Sequence, residues 1–161
     1  MTPCPYVADP CLSVPCQVHP STRAMVVSND DDLYGFVTFR IEAAGGQHVA
    51  FVYQLAVDVA LRSTSMGAQI LSRLSALAAS MGLAGLALQV AHANRRARRF
   101  YARRGFIKAG CILADDDFEA LWRLFDPAAA AVSERVYANL LHCGCTPEQA
   151  AHRMDLACPI G

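Results

Sequence analysis

The 161 residues carry 14 basic and 14 acidic side chains, so net charge singles out neither nucleic acid nor an acidic surface as a partner. An apolar share of 54% against 17% charged argues for a folded domain rather than a disordered chain. No apolar run reaches the about eighteen residues of a bilayer crossing, and Met1-Thr2-Pro3-Cys4-Pro5 does not lead from a basic into an apolar segment. The expectation is one cytoplasmic domain, with a nuclear setting left open and no membrane partner.

Residues 1–20 are rich in Pro and Cys and lack periodicity, so they read as an irregular arm. Residues 24–27 read as a short strand and Asn29 to Asp32 as a turn. Leu33 to Glu42 is β-rich, and Gly45-Gly46 closes a hairpin into a third strand, His48 to Asp58. Helical spacing follows Ser65 through Ile70, Leu71, Leu74, Leu77, Ala78 and Met81, with Gly82 as the stop. The apolar run Leu83 to Ala91 suits a strand buried on both faces. Arg95 to Arg104 reads as a helix ended by Gly105, followed by strands at 106–109 and 118–125. Two helices finish the chain, 128–141 and 147–154, the second capped by Thr146 with Glu148 in its first turn. This order predicts an α/β layout around a mixed sheet, divided as an arm (1–20), a main domain (21–126) and a helical extension (127–161) packed on or beside it.

The seven cysteines cluster at the two ends, apart from Cys111. A reducing compartment makes free thiols the default. A zinc site with His142 or His152 is the sharper alternative, but no Cys-x-x-Cys pair is present and Cys143-Gly144-Cys145 is too tight for a knuckle. No metal is expected.

Two segments carry the chemistry. Arg62 to Ala68 lies where a strand passes into a helix, the place where unpaired backbone N–H groups and the positive end of the helix dipole receive phosphate. Its small residues, Ser63, Thr64, Ser65, Gly67 and Ala68, allow close approach. The bland alternative is an ordinary helix start capped by serines. The second segment, Asn94-x-x-Ala97-x-x-Phe100-Tyr101-x-x-x-Gly105-Phe106, offers a Tyr hydroxyl on a helix. That Tyr can equally be a core aromatic beside Ala97 and Phe100.

In this order and spacing the two segments resemble the acetyl-CoA half of the GNAT superfamily of N-acetyltransferases, over about residues 24–125. The superfamily pattern Arg/Gln-x-x-Gly-x-Gly/Ala is met by Arg62 and Gly67, with Ser65 at the first glycine. The resemblance implies a GNAT-like acyl-CoA N-acyltransferase fold with a truncated N-terminal helical region and a C-terminal helical extension. It implies acetyl-CoA as the acyl donor, held by Leu55, Val57, Arg62, Ser63, Thr64, Ser65, Met66, Gly67, Ala68, Asn94 and Tyr101. Asn94 would follow a strand that splays from its neighbour and hydrogen-bond the pantetheine arm. Tyr101 would protonate the departing thiolate.

The acceptor implied is a primary amine, which needs a base. Tyr53 and Gln54 are the polar candidates on the third strand, and His92 would share a side with Asn94 on an extended chain. A structural His is the bland reading, and Glu42 and Glu119 are weaker options. Asp115-Asp116-Asp117, between the last strands, could attract a cationic amine such as a lysine, a polyamine, a basic protein N-terminus or another small cationic amine, or could be a solvated turn. Six of the thirteen arginines lie within 95–104. A solvated helix face is the plain account; the 3′-phosphate of CoA or an acidic partner are the others. Nucleic acid is disfavoured for want of a second basic segment. The helical tail is expected to cover the surface that the missing N-terminal helices would have covered, or to form a homodimer contact. The competing functions are a non-catalytic CoA-binding protein and an Arg-rich interaction module.

Overall fold

The computed structural model describes residues 20–157. The arm expected at 1–20, the truncation of the N-terminal helical region, and Cys4, Cys11, Cys16 and Cys158 therefore lie essentially outside the described residues. Among these residues a six-stranded mixed sheet runs β1 (Arg23–Ser28), β2 (Leu33–Ala44), β3 (Gln47–Val57), β4 (Gly85–Ala91), β6 (Phe118–Leu124), β5 (Ile107–Lys108) in spatial order. Only β3 and β4 pair in parallel. Their connection contains α1 (Met66–Ser80), as a parallel crossover requires. Helix α2 (Arg95–Ala102) follows β4, and α3 (Pro127–His142) and α4 (Pro147–Leu156) follow β6.

The elements form where the pattern predicts them. Gly45 and Gly46 take φ of 60° and 74°, the left-handed values of a tight hairpin turn. Ile70, Leu71, Leu74 and Ala78 give α1 one buried stripe, and Gly82 at φ 72° ends it. β4 is buried through Gly85 to Leu88, as a strand covered on both faces should be. One expectation changes here. The chain does not stay extended after Ala91. The Asn94 N–H donates to the Ala91 carbonyl at 2.9 Å, so residues 92–93 turn, and His92 and Asn94 are not alternate residues of one strand.

Each face of the sheet has its own core. On one side Val37, Phe39, Val52, Leu86 and Leu88 meet the α1 stripe. On the other, Val49, Phe51, Ala87 and Trp122 meet Ala130 of α3 and Met154 of α4. The terminal helices thus lie on the sheet face opposite α1. The Asp155 carboxylate accepts the Gly46 N–H at 3.0 Å, which fastens α4 to the β2–β3 turn.

Two irregularities shape the middle of the sheet. Thr38 pairs with Gln54 but Phe39 pairs with Val52, so Tyr53 is an extra residue in β3. The parallel pairing of β3 with β4 stops at Val52–Leu88, although β3 runs on to Val57 and β4 to Ala91. Past that pair the two strands fork.

Candidate active site

The fork lies beneath the start of α1, and the loop that enters this helix is built from short hydrogen bonds. Asp58 caps a single 3-10 turn, Val59–Leu61, by accepting the Ala60 N–H at 2.8 Å. Thr64 Oγ1 donates to the Leu61 carbonyl at 2.5 Å and accepts the Met66 N–H at 3.2 Å. The Ser65 hydroxyl makes no capping hydrogen bond and instead accepts from Gln69 Nε2 at 2.8 Å. The N–H groups of Gly67 and Ala68 in the first turn have no intrahelical acceptor, and among the described residues nothing else takes them. No acidic residue sits in that turn. Arg62 is exposed, with Nε toward the Val57 carbonyl at 3.4 Å, and Arg96 Nη2 reaches Ser63 Oγ at 3.3 Å. Free N–H donors, a helix dipole and two guanidinium groups make this an anion-receiving corner.

Gly67 stands where space is tight. A Cβ there would stand 3.1 Å from Phe100 Cζ, so α1 and α2 touch at this point. Of the serines in this loop, the one at the first-glycine position is not the one with unusual backbone geometry. Ser65, at the first-glycine position, has an ordinary φ of −77°, whereas Ser63 has φ 68°. It is the only non-glycine residue with positive φ among the described residues.

Leu55, Val57 and Met66 are half-buried against the α1-side core, and Leu55 and Val57 lie on β3 past the fork. Asn94 is the N-cap of α2, its Oδ1 accepting the Ala97 N–H at 3.0 Å. Tyr101 packs on the same core, with Phe100 and Phe106 ring centroids at 5.2 and 5.4 Å. Its hydroxyl has no hydrogen-bond partner among the described residues, and burial pushes its pKa up to about 12. It is therefore both a core aromatic and a protonated, unengaged donor.

On the opposite face, Tyr53 is half exposed and its hydroxyl donates to Glu42 Oε1. Arg40 stacks over the Tyr53 ring at 4.3 Å and lies 3.9 Å from Glu42. Burial, then the Glu42 carboxylate, pushes the Tyr53 pKa up to about 12, with Arg40 opposing. This cluster borders a cavity of about 290 Å³ whose walls include Gln89, Leu113, Ala151 and Asp155.

The remaining candidates are dispersed. His92 is exposed, and its backbone N–H binds the Asp117 carbonyl at 2.9 Å. Glu119 is the partner of Arg98. Asp115 to Asp117 are exposed and none lines the cavity; its carboxylates are Glu42 and Asp155. Asp155 had no signal in the sequence, since its tie to Gly46 spans a separation of 109 residues. The arginines of residues 95–104 divide. Arg96 and Arg98 are engaged as above, and Arg104 stacks on Phe100 at 3.6 Å, while Arg95, Arg99 and Arg103 face solvent. Cys111 is buried, and among the described residues no group of three metal-ligating side chains occurs.

Comparison with known proteins places this arrangement. A family model for the acetyltransferase (GNAT) family matches residues 4–106, beginning inside the segment read as an arm. The Bacillus subtilis protein "Uncharacterized N-acetyltransferase YycN" is 29% identical over 86 residues, which are 53% of this chain and 55% of that one. The chain thus spans about half the length of this curated relative. The fold is shared with the PaiA N-acetyltransferase of Thermoplasma acidophilum in complex with coenzyme A, at TM-score 0.56 and 18% identity over 65% of this chain and 62% of that one. It is also shared with a Bacillus anthracis protein described as a streptothricin acetyltransferase, in complex with acetyl coenzyme A. There the TM-score is 0.55 and the identity 19%, over 68% and 65% of the two chains. A mixed sheet forked between its parallel strands, an open helix start above the fork, and a family match over well more than half the residues agree: the chain belongs to the acetyltransferase (GNAT) family.

Proposed function

We propose that the protein transfers an acetyl group from acetyl-CoA to a primary amine by direct attack within a ternary complex. The observation that carries this reading is the fork past Val52–Leu88, with the unbonded Gly67 and Ala68 N–H groups above it and the unpartnered Tyr101 hydroxyl on the adjoining core. Acetyl-CoA supplies the activated acyl group. Arg62, Arg96 and the loop Ser63 to Ala68 suit its phosphates, while Leu55, Val57 and Asn94 suit its arm. The fit rests on this chain's own features: unpaired donors, small residues and a strand edge without a partner.

The amine nitrogen forms the new bond to the acetyl carbon as the carbon–sulfur bond breaks. Tyr101 donates its proton to the departing sulfur. The amine must shed a proton, and Tyr53 with Glu42 is the relay that fits: the phenol oxygen takes the proton while its own passes to the carboxylate. A free phenolate is disfavoured by a pKa near 12, so the relay needs Glu42. An acyl-enzyme on Cys111 is disfavoured, because burial, then Glu134, pushes that thiol well above its ordinary range.

Calorimetric titration of acetyl-CoA and thiol release with a panel of amines test the reading. Tyr101→Phe is expected to lower kcat at least tenfold while changing the acetyl-CoA Kd less than threefold. Unchanged kcat would remove Tyr101 as the acid, and absence of acetyl-CoA binding in the parent protein would overturn the function.

A further inference from the structure

The cavity on the α4 side of the sheet begins at the fork. Tyr53 and Gln89 are the first residues past the last β3–β4 pair, and both line it. Its remote wall is α4, through Ala151 and Asp155. Resting on the acetyl-transfer reading, we propose that this cavity takes a small primary amine whose other end carries a cation, an α,ω-diamine being the simplest form.

The charges at the two ends differ in kind. At the fork, the Glu42 carboxylate faces the Tyr53 hydroxyl and the Arg40 guanidinium, so its charge is largely offset. Such a place suits the neutral amine that must attack. At the α4 end, Asp155 accepts one backbone N–H from Gly46 and has no ion-pair partner among the described residues. His152 and the Cys111 thiol are the titratable groups that act on it or feel it. A half-buried carboxylate with spare acceptor capacity is a seat for an ammonium group. The walls between, Ala44, Phe51 and Leu113, are apolar and match a methylene chain.

Size points the same way. A cavity of about 290 Å³ has room for a short aliphatic amine. From Glu42 along β2 to the Gly46 turn is on the order of 10 Å, at about 3.3 Å per residue. A four-carbon diamine spans that gap with a hydrogen bond at its far end. The wall is firm as well, because α4 is tied by Asp155 to Gly46 and its Met154 belongs to the second core.

The experiment compares 1,4-diaminobutane with 1-aminobutane and with an alanyl peptide bearing a free N-terminus. Thiol release is one readout, and calorimetric binding to the CoA-saturated protein is the other. The diamine is expected to exceed the monoamine at least tenfold in kcat/KM and in affinity. Asp155→Asn keeps an acceptor for the Gly46 N–H but loses the charge; the preference should fall below threefold, with the acetyl-CoA Kd unchanged. Ala151→Leu, which narrows the cavity, should weaken diamine binding at least tenfold on its own. Equal use of diamine and monoamine, equal use of the peptide, or a diamine preference that survives Asp155→Asn overturns the proposal. Acetyl-CoA binding together with turnover of some amine keeps the acetyl-transfer reading standing in any of those cases. Diamine binding that depends on Asp155 without thiol release sustains the site and counts against the transferase.

Discussion

Ser63 concentrates the local strain of the loop that enters α1. A side chain in the left-handed region costs roughly 1–2 kcal/mol relative to an ordinary φ, and glycine avoids that cost. Ser63→Gly is therefore expected to hold stability constant or raise it by up to ~1 kcal/mol. Ser65→Gly, at φ −77°, should lower stability by ~0.5–1 kcal/mol through the looser unfolded chain. Urea denaturation of both variants reads this difference, and the reverse order would place the strain wrongly. Tyr101 yields a second residue-scale expectation. Its folded pKa, about 12, lies above the ordinary value of 10.0. Below pH 10 both folded and unfolded chains hold the proton and the contribution is complete. Between pH 10 and about 12 the unfolded chain releases its proton first, so stability falls across that window by roughly 2–3 kcal/mol. Tyr101→Phe should flatten that part of the slope, leaving what Tyr53 and Tyr137 contribute. Over the same range below pH 10, catalysis should show no alkaline limb from this group.

Among the elements, α4 has the clearest start signal and the least obvious purpose. Thr146 Oγ1 accepts the Gln149 N–H at 3.3 Å and Gln149 Oε1 accepts the Thr146 N–H at 3.0 Å, a reciprocal capping box ahead of Pro147. Thr146→Ala is expected to lower stability by ~1 kcal/mol and to speed amide exchange in 147–156 first, as hydrogen-exchange mass spectrometry would show. Uniform exchange across the molecule would mean that α4 does not fray on its own. That this helix forms was legible from Thr146, Pro147 and the apolar spacing behind them. That Asp155 meets Gly46, or that Ala151 walls a cavity, was not, since local periodicity carries no information on which distant face a helix covers. The same division holds in the sheet. Alternation and turn glycines marked the strands, and the Arg62–Ala68 and Asn94–Phe106 patterns marked the loops that enter α1 and α2 and carried the resemblance to the family. The extra residue at Tyr53 leaves no local mark, because Phe51 to Val57 reads as ordinary strand with or without it. The expected alignment of His92 with Asn94 was lost for a related reason: two residues before a helix cap, the chain turned where it was expected to run straight.

At the scale of the molecule, the terminal helices complete the second core. Trp122 is fully buried there, and Val49, Ala87 and Phe51 share its cover. Fully burying a large apolar side chain contributes roughly 1.5–3 kcal/mol, and a domain's whole stability is only about 5–15 kcal/mol. Losing the cover from a few such residues is therefore enough to unfold the rest. A chain ending before α3 is expected to aggregate or lose fixed tertiary structure, with the emission of Trp122, the one tryptophan, shifted to the red. A monodisperse truncated protein with unchanged near-ultraviolet circular dichroism would show that α3 and α4 are dispensable to this core. The extra residue in β3 has a wider meaning in this two-faced arrangement. It acts as a half-period phase shift in the pleat. Before it, odd-numbered side chains such as Val49 and Phe51 address the terminal helices; after it, the odd-numbered Leu55 and Val57 address α1. One strand thereby packs against α1 on one side of the sheet and against α3 and α4 on the other, and Tyr53 stands at the changeover.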